Sequence, residues 1–235
     1  MRATLRLWFV RHGETAWNRD GRAQGGADLP LTARGRAQAR RLAARLRPVR
    51  FVAAWSSPAV RAVATARAVL ACRGRAAPAL RRSAALRELS YGACRGEPVH
   101  RWPDAVRDAW ATEPWWARFP DGVVPPRARE ARAGRRLVVE AGESLADVAA
   151  RAAACVARIV ATVPTGDVLV VTHGHLLRAL LVDRLGIPVA SIRDIVVPNA
   201  AVVVLGYDAA VGGWVRRDAV RAARAVATIS HSEAA

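Results

Sequence analysis

Apolar and polar positions alternate along the chain with two periods, and the switch between them outlines a repeating architecture. Leu5 to Arg11 is rich in apolar and aromatic residues and predicts a strand. In "LPLTARGRAQARRLAARL", Thr32 precedes Ala39, Leu42, Ala43 and Leu46 at helical spacing, which predicts an N-capped helix. Phe51 to Trp55 predicts a second strand. It ends in "SSP", and Pro58 opens the helical pattern "AVRAVATARAVLA".

Periodicity fades between Glu97 and Ala141. That stretch carries four tryptophans (Trp102, Trp110, Trp115 and Trp116) and six prolines, and is expected to form short helices and loops inserted beyond the main sheet. Leu145, Val148, Ala152, Val156, Ile159 and Val163 then mark one face of a long helix. Val168 to Val171 is uninterruptedly apolar, as in a parallel strand buried on both faces, and the helical pattern "HLLRALLVDRLG" follows it. "AAVVVLGY" and "GWVRRDAV" predict one or two edge strands, and the tail from about Ala222 is expected to be loosely held. Strands alternating with helices predict an α/β fold: three α/β/α layers around a mostly parallel sheet. Its 235 residues suit one domain spanning 1–235, with the insertion at about 97–141.

Composition narrows the functional classes. The formal net charge is +18 and all 37 basic residues are arginine. The absence of lysine, beside abundant alanine, is the mark of a GC-rich coding sequence. It excludes a Schiff-base lysine and a Walker-type phosphate loop. The arginines are spread over predicted helix faces with no base-reading motif, so the expectation is a solvated basic surface without specific nucleic-acid binding. Cys72, Cys94 and Cys155 fit neither a disulfide framework nor a zinc pattern, which makes a reducing cytoplasm the default. No apolar run is long enough to span a membrane, and no signal peptide is evident. No metal or cofactor is expected. A sheet edge near Val202 either pairs across a homodimer or is simply covered.

The candidate chemistry lies at two predicted strand ends. "VRHGE" ends the first strand and "VTHGH" the strand at Val168, each leaving a histidine, His12 or His173, followed by glycine. In open α/β sheets, ligands sit beyond the carboxyl ends of the strands. The helix after Gly174 would offer free N–H groups and a positive dipole end to an anion. Arg11 and Arg61 would add planar donors matched to phosphate oxygens. The pattern predicts a phosphate site.

Five segments in order resemble the histidine phosphatase superfamily, which includes the cofactor-dependent phosphoglycerate mutases: "VRHGETAWN", "QGGADLPLTARGRAQA", "SSPAVRAVATA", "LRELSYG" and "VVTHGHLLR". Gly142 to Ser144 and Asn199 also fall where that family often has them. The resemblance implies that His12 is the nucleophile, forming a phosphohistidine, and that Arg11, Arg61 and His173 hold the transferring phosphoryl group. It implies Asn18 on the phosphate and Glu88 as proton donor and then base, with Glu97 a nearby competitor for that role. Glu88 is expected to have a raised pKa for that task. Gly13, Thr15, Gln24, Gly25, Tyr91, Gly174 and His175 complete the expected phosphate and substrate contacts, with an exposed helix position as the alternative for His175. His100 and His231 are expected at the surface.

Departures from the family concern the substrate. Where an aromatic residue and an acid are frequent, this chain has Cys94 and Arg95. That arginine either favours a more anionic substrate or pairs at the surface. The tryptophan-rich insertion falls where the family builds its substrate lid, lining a pocket for an apolar leaving group or packing a small core of its own. The resemblance places a longer insertion and a pocket lysine in the mutases. The expected activity is therefore hydrolysis of a small phosphomonoester, with mutase-type transfer or a non-catalytic phosphate-binding module as alternatives.

Overall fold

A computed structural model describes residues 5–124, 138–208 and 213–216. The central sheet has the order β3-β2-β6-β1-β7-β8, built from β1 (Leu5–Arg11), β2 (Phe51–Ser56), β3 (Leu80–Arg82), β6 (Gly166–Thr172), β7 (Val202–Asp208) and β8 (Gly213–Arg216). β1, β2 and β3 are parallel to their neighbours through β6, whereas β7 and β8 run antiparallel. β6 is buried from Asp167 to Thr172, as its unbroken apolar run requires. Val202 belongs to a strand paired on one side with β1 and on the other with β8, so β3 and β8 are the sheet's edges. β8 covers this strand from Leu205 to Asp208, which is the covered alternative for that part of it.

Helices cover both faces. α2 (Ala33–Leu46) and α3 (Val60–Ala71) bury Leu42, Leu46, Ala62, Ala66 and Val69 against Trp8, Val10, Phe51 and Leu169. Thr32 caps α2 by accepting from Gly35 N at 2.9 Å. On the other face, α5 (Leu145–Thr162) and α6 (Gly174–Leu185) pack Val148, Val156, Ile159, Leu176 and Leu180 against Leu5, Leu7 and Phe9. Ser144 and Asp147 form a capping box at the start of α5.

The region between Glu97 and Ala141 contributes α4 (Asp104–Thr112) and a two-stranded pair, β4 (Gly122–Val124) with β5 (Val138–Glu140). Trp102 and Phe119 from it join the core cluster under α6. α1 (Ala16–Arg19), β3 and the β4–β5 pair are additions to the elements predicted above. No helix among the described residues is long and apolar enough to cross a membrane. His231 and the tail from Ala222 lie outside the described residues.

Candidate active site

The carboxyl ends of β1 and β6 lie side by side, with Arg11 opposite Thr172 in register. His12 and His173 follow these partners, and their ring centroids are 5.1 Å apart. Gly13 fits because a Cβ there would stand 2.5 Å from the Gly35 carbonyl oxygen, so this turn presses against the first turn of α2.

His12 is held in one tautomer. Its Nδ1 lies 2.7 Å from the Gly13 carbonyl oxygen, which can only accept, so Nδ1 carries the proton. Nε2 faces the Nε–H of Arg61 at 3.2 Å and is the free base. Burial, then the charges of Arg61 and Arg11, hold the imidazolium form well below the ordinary histidine range. A neutral imidazole with an unprotonated Nε2 is the form a nucleophile needs.

Arg61 is fully buried on α3. Its Nη1 donates to Ala27 O at 2.6 Å and its Nη2 to Gly25 O at 2.9 Å. Gly25, at φ +47°, turns its carbonyl toward that guanidinium. Burial lowers the Arg61 pKa to about 10 against the attraction of Glu88 and Asp28, so it is cationic at neutral pH. Thr65, one turn on, accepts from Gly13 N and donates to Arg61 O, tying the arginine's helix to the nucleophile's loop. His173 is buried with Nε2 2.8 Å from Ser57 Oγ, and burial followed by Arg61 and His12 lowers its pKa. Three buried polar atoms here have no protein partner: Arg11 Nε, Gln24 Nε2 and His173 Nδ1. Such groups are costly unless a ligand or water pairs with them.

The Glu88 carboxylate accepts from Gly174 N at 3.1 Å, His175 N at 3.1 Å, Leu176 N at 3.2 Å and Leu89 N at 3.0 Å. This corrects two expectations. The first N–H groups of α6, Gly174 included, serve Glu88 and are not open to an anion. The Glu88 pKa is also lowered: burial pulls it up, but His175, the Leu89 N–H, Arg61 and Arg11 together outweigh burial. Glu97, half-exposed near Arg101, stands apart from this site, so Glu88 is the carboxylate beside His12.

A cavity of about 350 Å3 opens over these groups. Arg11, His12, Asn18, Gln24 and Glu88 line it, together with Trp17, Tyr91, Trp102, Trp110 and His175, among which stand Arg22 over Trp17 and Arg178 beside His175. Asn18 Oδ1 accepts from Thr15 N and from Asn199 Nδ2, which leaves its Nδ2 as a donor. Gly13, Thr15, Gly25, Arg61 and His173 do not line the cavity; Arg61 and His173 lie directly behind His12. Thr15 is wholly buried and caps α1, within 2.9 Å of Gln24 Oε1.

His175 is a wall of the cavity, which replaces the reading of an exposed helix position. Its Nδ1 is 2.9 Å from Tyr91 Oη and its Nε2 faces Arg178 Nη1 at 3.4 Å. Burial lowers its pKa to about 4 although Glu88 opposes this, so it is neutral above that pH. The tryptophans divide. Trp102 and Trp110 pack with Phe119 and also line the cavity, whereas Trp116 is 67% exposed. Arg95 is at neither expected place: its side chain is 4% exposed and pairs with buried Glu140 at 2.5 Å, fastening β5 to the segment after Tyr91.

Ser57, Thr65, Trp17, Arg22 and Arg178 are site residues that sequence reasoning did not single out. Ser57, Thr65, Trp17 and Arg178 all sit inside the quoted motifs, and Arg178 is four residues after Gly174 on one helix, a spacing that puts both on the same face. Among the described residues, no group of three or more His, Cys, Asp and Glu side chains is placed to hold a metal ion.

With this geometry in place, the profile of the histidine phosphatase superfamily (branch 1) matches residues 7–218. The chain belongs to that superfamily. It is 36% identical over 197 residues to a 2,3-bisphosphoglycerate-dependent phosphoglycerate mutase of Methylobacterium radiotolerans, covering 80% of this chain and 83% of that one. It is 32% identical over 179 residues to a similarly named mutase of Gloeobacter violaceus, covering 75% and 74%. Among solved structures, a mycobacterial glucosyl-3-phosphoglycerate phosphatase superposes with a TM-score of 0.72 at 30% identity, over 92% of this chain and 97% of that one. Superfamily membership makes it an enzyme of phosphoryl transfer.

Proposed function

We propose that the protein hydrolyses small phosphomonoesters through a phosphohistidine on His12. The observation that carries this reading is the His12 tautomer: Nδ1–H is bound to Gly13 O, and unprotonated Nε2 faces the buried Arg61 guanidinium. Nε2 attacks phosphorus and the ester P–O bond breaks. Arg11, Arg61, Asn18 and the unpaired His173 Nδ1 and Gln24 Nε2 meet the phosphoryl oxygens as charge shifts onto them. Glu88 donates its proton to the leaving alkoxide. A water then enters, Glu88 takes a proton from it, and the hydroxide oxygen attacks the phosphohistidine, releasing phosphate and restoring Nε2.

The lowered Glu88 pKa belongs to the protein groups alone. A phosphoryl dianion beside Glu88 favours its protonated form, so substrate binding itself loads the acid. Hydrolysis is favoured over mutase transfer because the chain has no lysine to offer a sugar-acid phosphate, and aromatic rings share its leaving-group end with Arg22 and Arg178. The mutase reading has the names of its sequence relatives behind it.

One experiment separates the two. Phosphate release from a panel of phosphomonoesters is measured in excess EDTA, with interconversion of 2- and 3-phosphoglycerate followed in parallel and His12→Ala as control. EDTA-resistant release, absent in His12→Ala, is the expected result. Isomerisation without release makes the protein a mutase.

A further inference from the structure

Glu88 sits on a segment with little regular structure, between a single 3-10 turn at Ala84–Leu86 and another at Gly92–Cys94. A carboxyl that must donate a proton to a departing oxygen needs positioning to a fraction of an ångström. The segment's own backbone supplies only the Leu89 N–H, because residues 87 to 91 lie in neither helix nor strand. Two side chains from the start of α5 add to it.

The five N–H donors of Arg151 all have acceptors. Nε and Nη2 form a two-pronged pair with the carboxylate oxygens of Glu143 at 2.8 and 2.9 Å. Nη1 donates to Ala85 O at 2.8 Å and to Arg87 O at 2.7 Å, and Nη2 also donates to Glu88 O at 3.1 Å. A guanidinium has no further donors, so every one is used on this segment or on the residue that orients it. Glu143 completes the grip: its Oε2 accepts from Ser90 N at 2.9 Å, and its own N–H donates to Ser90 O at 3.0 Å. Backbone groups on both sides of the Glu88 side chain, and its own carbonyl, are therefore held from α5. The far end of Glu88 meets the first N–H groups of α6. The grip is itself anchored, since Ser144 next to Glu143 caps α5.

We infer that Glu143 and Arg151 are positioning residues for Glu88, clamping the backbone so that its carboxyl reaches the leaving-group oxygen at the α6 N-terminus. Neither side chain lines the substrate cavity. Lysine cannot substitute, because a single ammonium cannot serve a carboxylate and three divergent carbonyls in one plane. The inference rests on the phosphatase reading of the site.

The test compares kcat/KM for two esters of similar size, benzyl phosphate and 4-nitrophenyl phosphate. The benzyl alkoxide is basic and leaves only with a proton from Glu88, whereas nitrophenolate leaves without one. Arg151→Met is expected to lose about tenfold or more on the benzyl ester beyond its loss on the nitrophenyl ester, with Glu88→Gln as the benchmark for that asymmetry. Arg151→Lys is expected to behave like Arg151→Met. Equal losses on both esters, or none, overturn the clamp, because a purely structural defect lowers both alike. Glu143→Gln, of the same size, breaks the two-pronged pair while keeping an acceptor for Ser90 N. It reads the same ratio if Arg151→Met does not fold, and an unchanged ratio there counts against the clamp.

A wild type that hydrolyses neither ester rejects the phosphatase reading instead. The clamp is then decided by the 13C shift of the Glu88 carboxyl carbon in Glu143→Gln against wild type. A displaced shift supports positioning, and an unchanged one overturns it.

Discussion

The two ends of the substrate cavity are built on different principles. At the phosphoryl end, His12, Arg61 and His173 are almost wholly buried, and each is fixed by a backbone carbonyl or a hydroxyl at hydrogen-bond distance. At the leaving-group end, Trp17, Trp110 and His175 are half-buried; Trp110 meets His175 ring to ring at 5.6 Å, His175 also meets Tyr91 Oη, and Trp17 lies against the Arg22 guanidinium at 4.9 Å. Hydrogen bonds fix a position to tenths of an ångström, whereas apolar contacts tolerate repacking. Under the proposed function, the difference puts the reaction at one end of the cavity and the choice of substrate at the other.

The largest expected effect lies at the first end. His12→Ala removes the nucleophile, and turnover is expected to fall on the order of 10^3-fold or more, measured as phosphate release. A variant retaining a tenth of wild-type rate would move the nucleophile elsewhere. Arg61→Met keeps bulk but strands Gly25 O and Ala27 O. Its kcat/KM is expected to drop about 10^2-fold or more, because a preorganised donor to the phosphoryl oxygens is gone. A change confined to stability, with kcat/KM intact, would place Arg61 outside the chemistry.

The second end is expected to respond in KM. Trp110→Ala opens the aromatic wall and should raise KM for aryl and apolar esters by about tenfold, with kcat nearly kept. Equal losses in kcat for every ester would show that Trp110 serves the catalytic geometry and not selectivity.

A third consequence concerns acid. His12 and His173 are buried and His175 half-buried, and their pKa values lie below the ordinary histidine range. Below about pH 6.5 the unfolded chain binds protons that the folded protein refuses, so stability falls as pH falls, by about 1.4 kcal/mol per pH unit for each such histidine. Glu88, also lowered, acts in the same direction nearer its own unfolded pKa. Urea midpoints between pH 7 and 5 should drop steeply, and less so in His175→Asn. An identical slope in that variant would contradict the neutral, half-buried His175. The smallest effect is expected at exposed Trp116, where serine should change stability by less than about 0.5 kcal/mol and leave the kinetics alone.

The same two ends differ in how well the chain's sequence discloses them. The phosphoryl end follows from short-range pattern: an apolar strand, a histidine and a glycine, twice, with a predicted helix directly after the second. Burial on both faces of β6 was legible because it needs only an unbroken apolar run. The leaving-group end depends on distant partners. Tyr91 meets His175, 84 residues away, and Trp102 packs against Phe119 and Tyr91 across several turns. No periodicity announces such contacts.

Glu88 shows the limit most plainly. Its place in "LRELSYG" marks it as the acid, yet its partners at the start of α6 and the resulting low pKa come only from tertiary structure. Arg95 was misread for the same reason, since its partner Glu140 lies 45 residues on. The β4–β5 pair and β3, at three residues each, are too short to carry a strand period.

The account's central claim is that His12 attacks through Nε2. Glu88→Gln leaves that nucleophile intact but cannot deprotonate the water, so a phosphoenzyme should accumulate on a nitrophenyl ester. Rapid quenching at alkaline pH, with 31P NMR and peptide mass spectrometry, then assigns the site. Phosphate on Nε2 of His12 is the result predicted here. Phosphate on Nδ1, on another residue, or steady turnover with no phosphoenzyme at any time would contradict it.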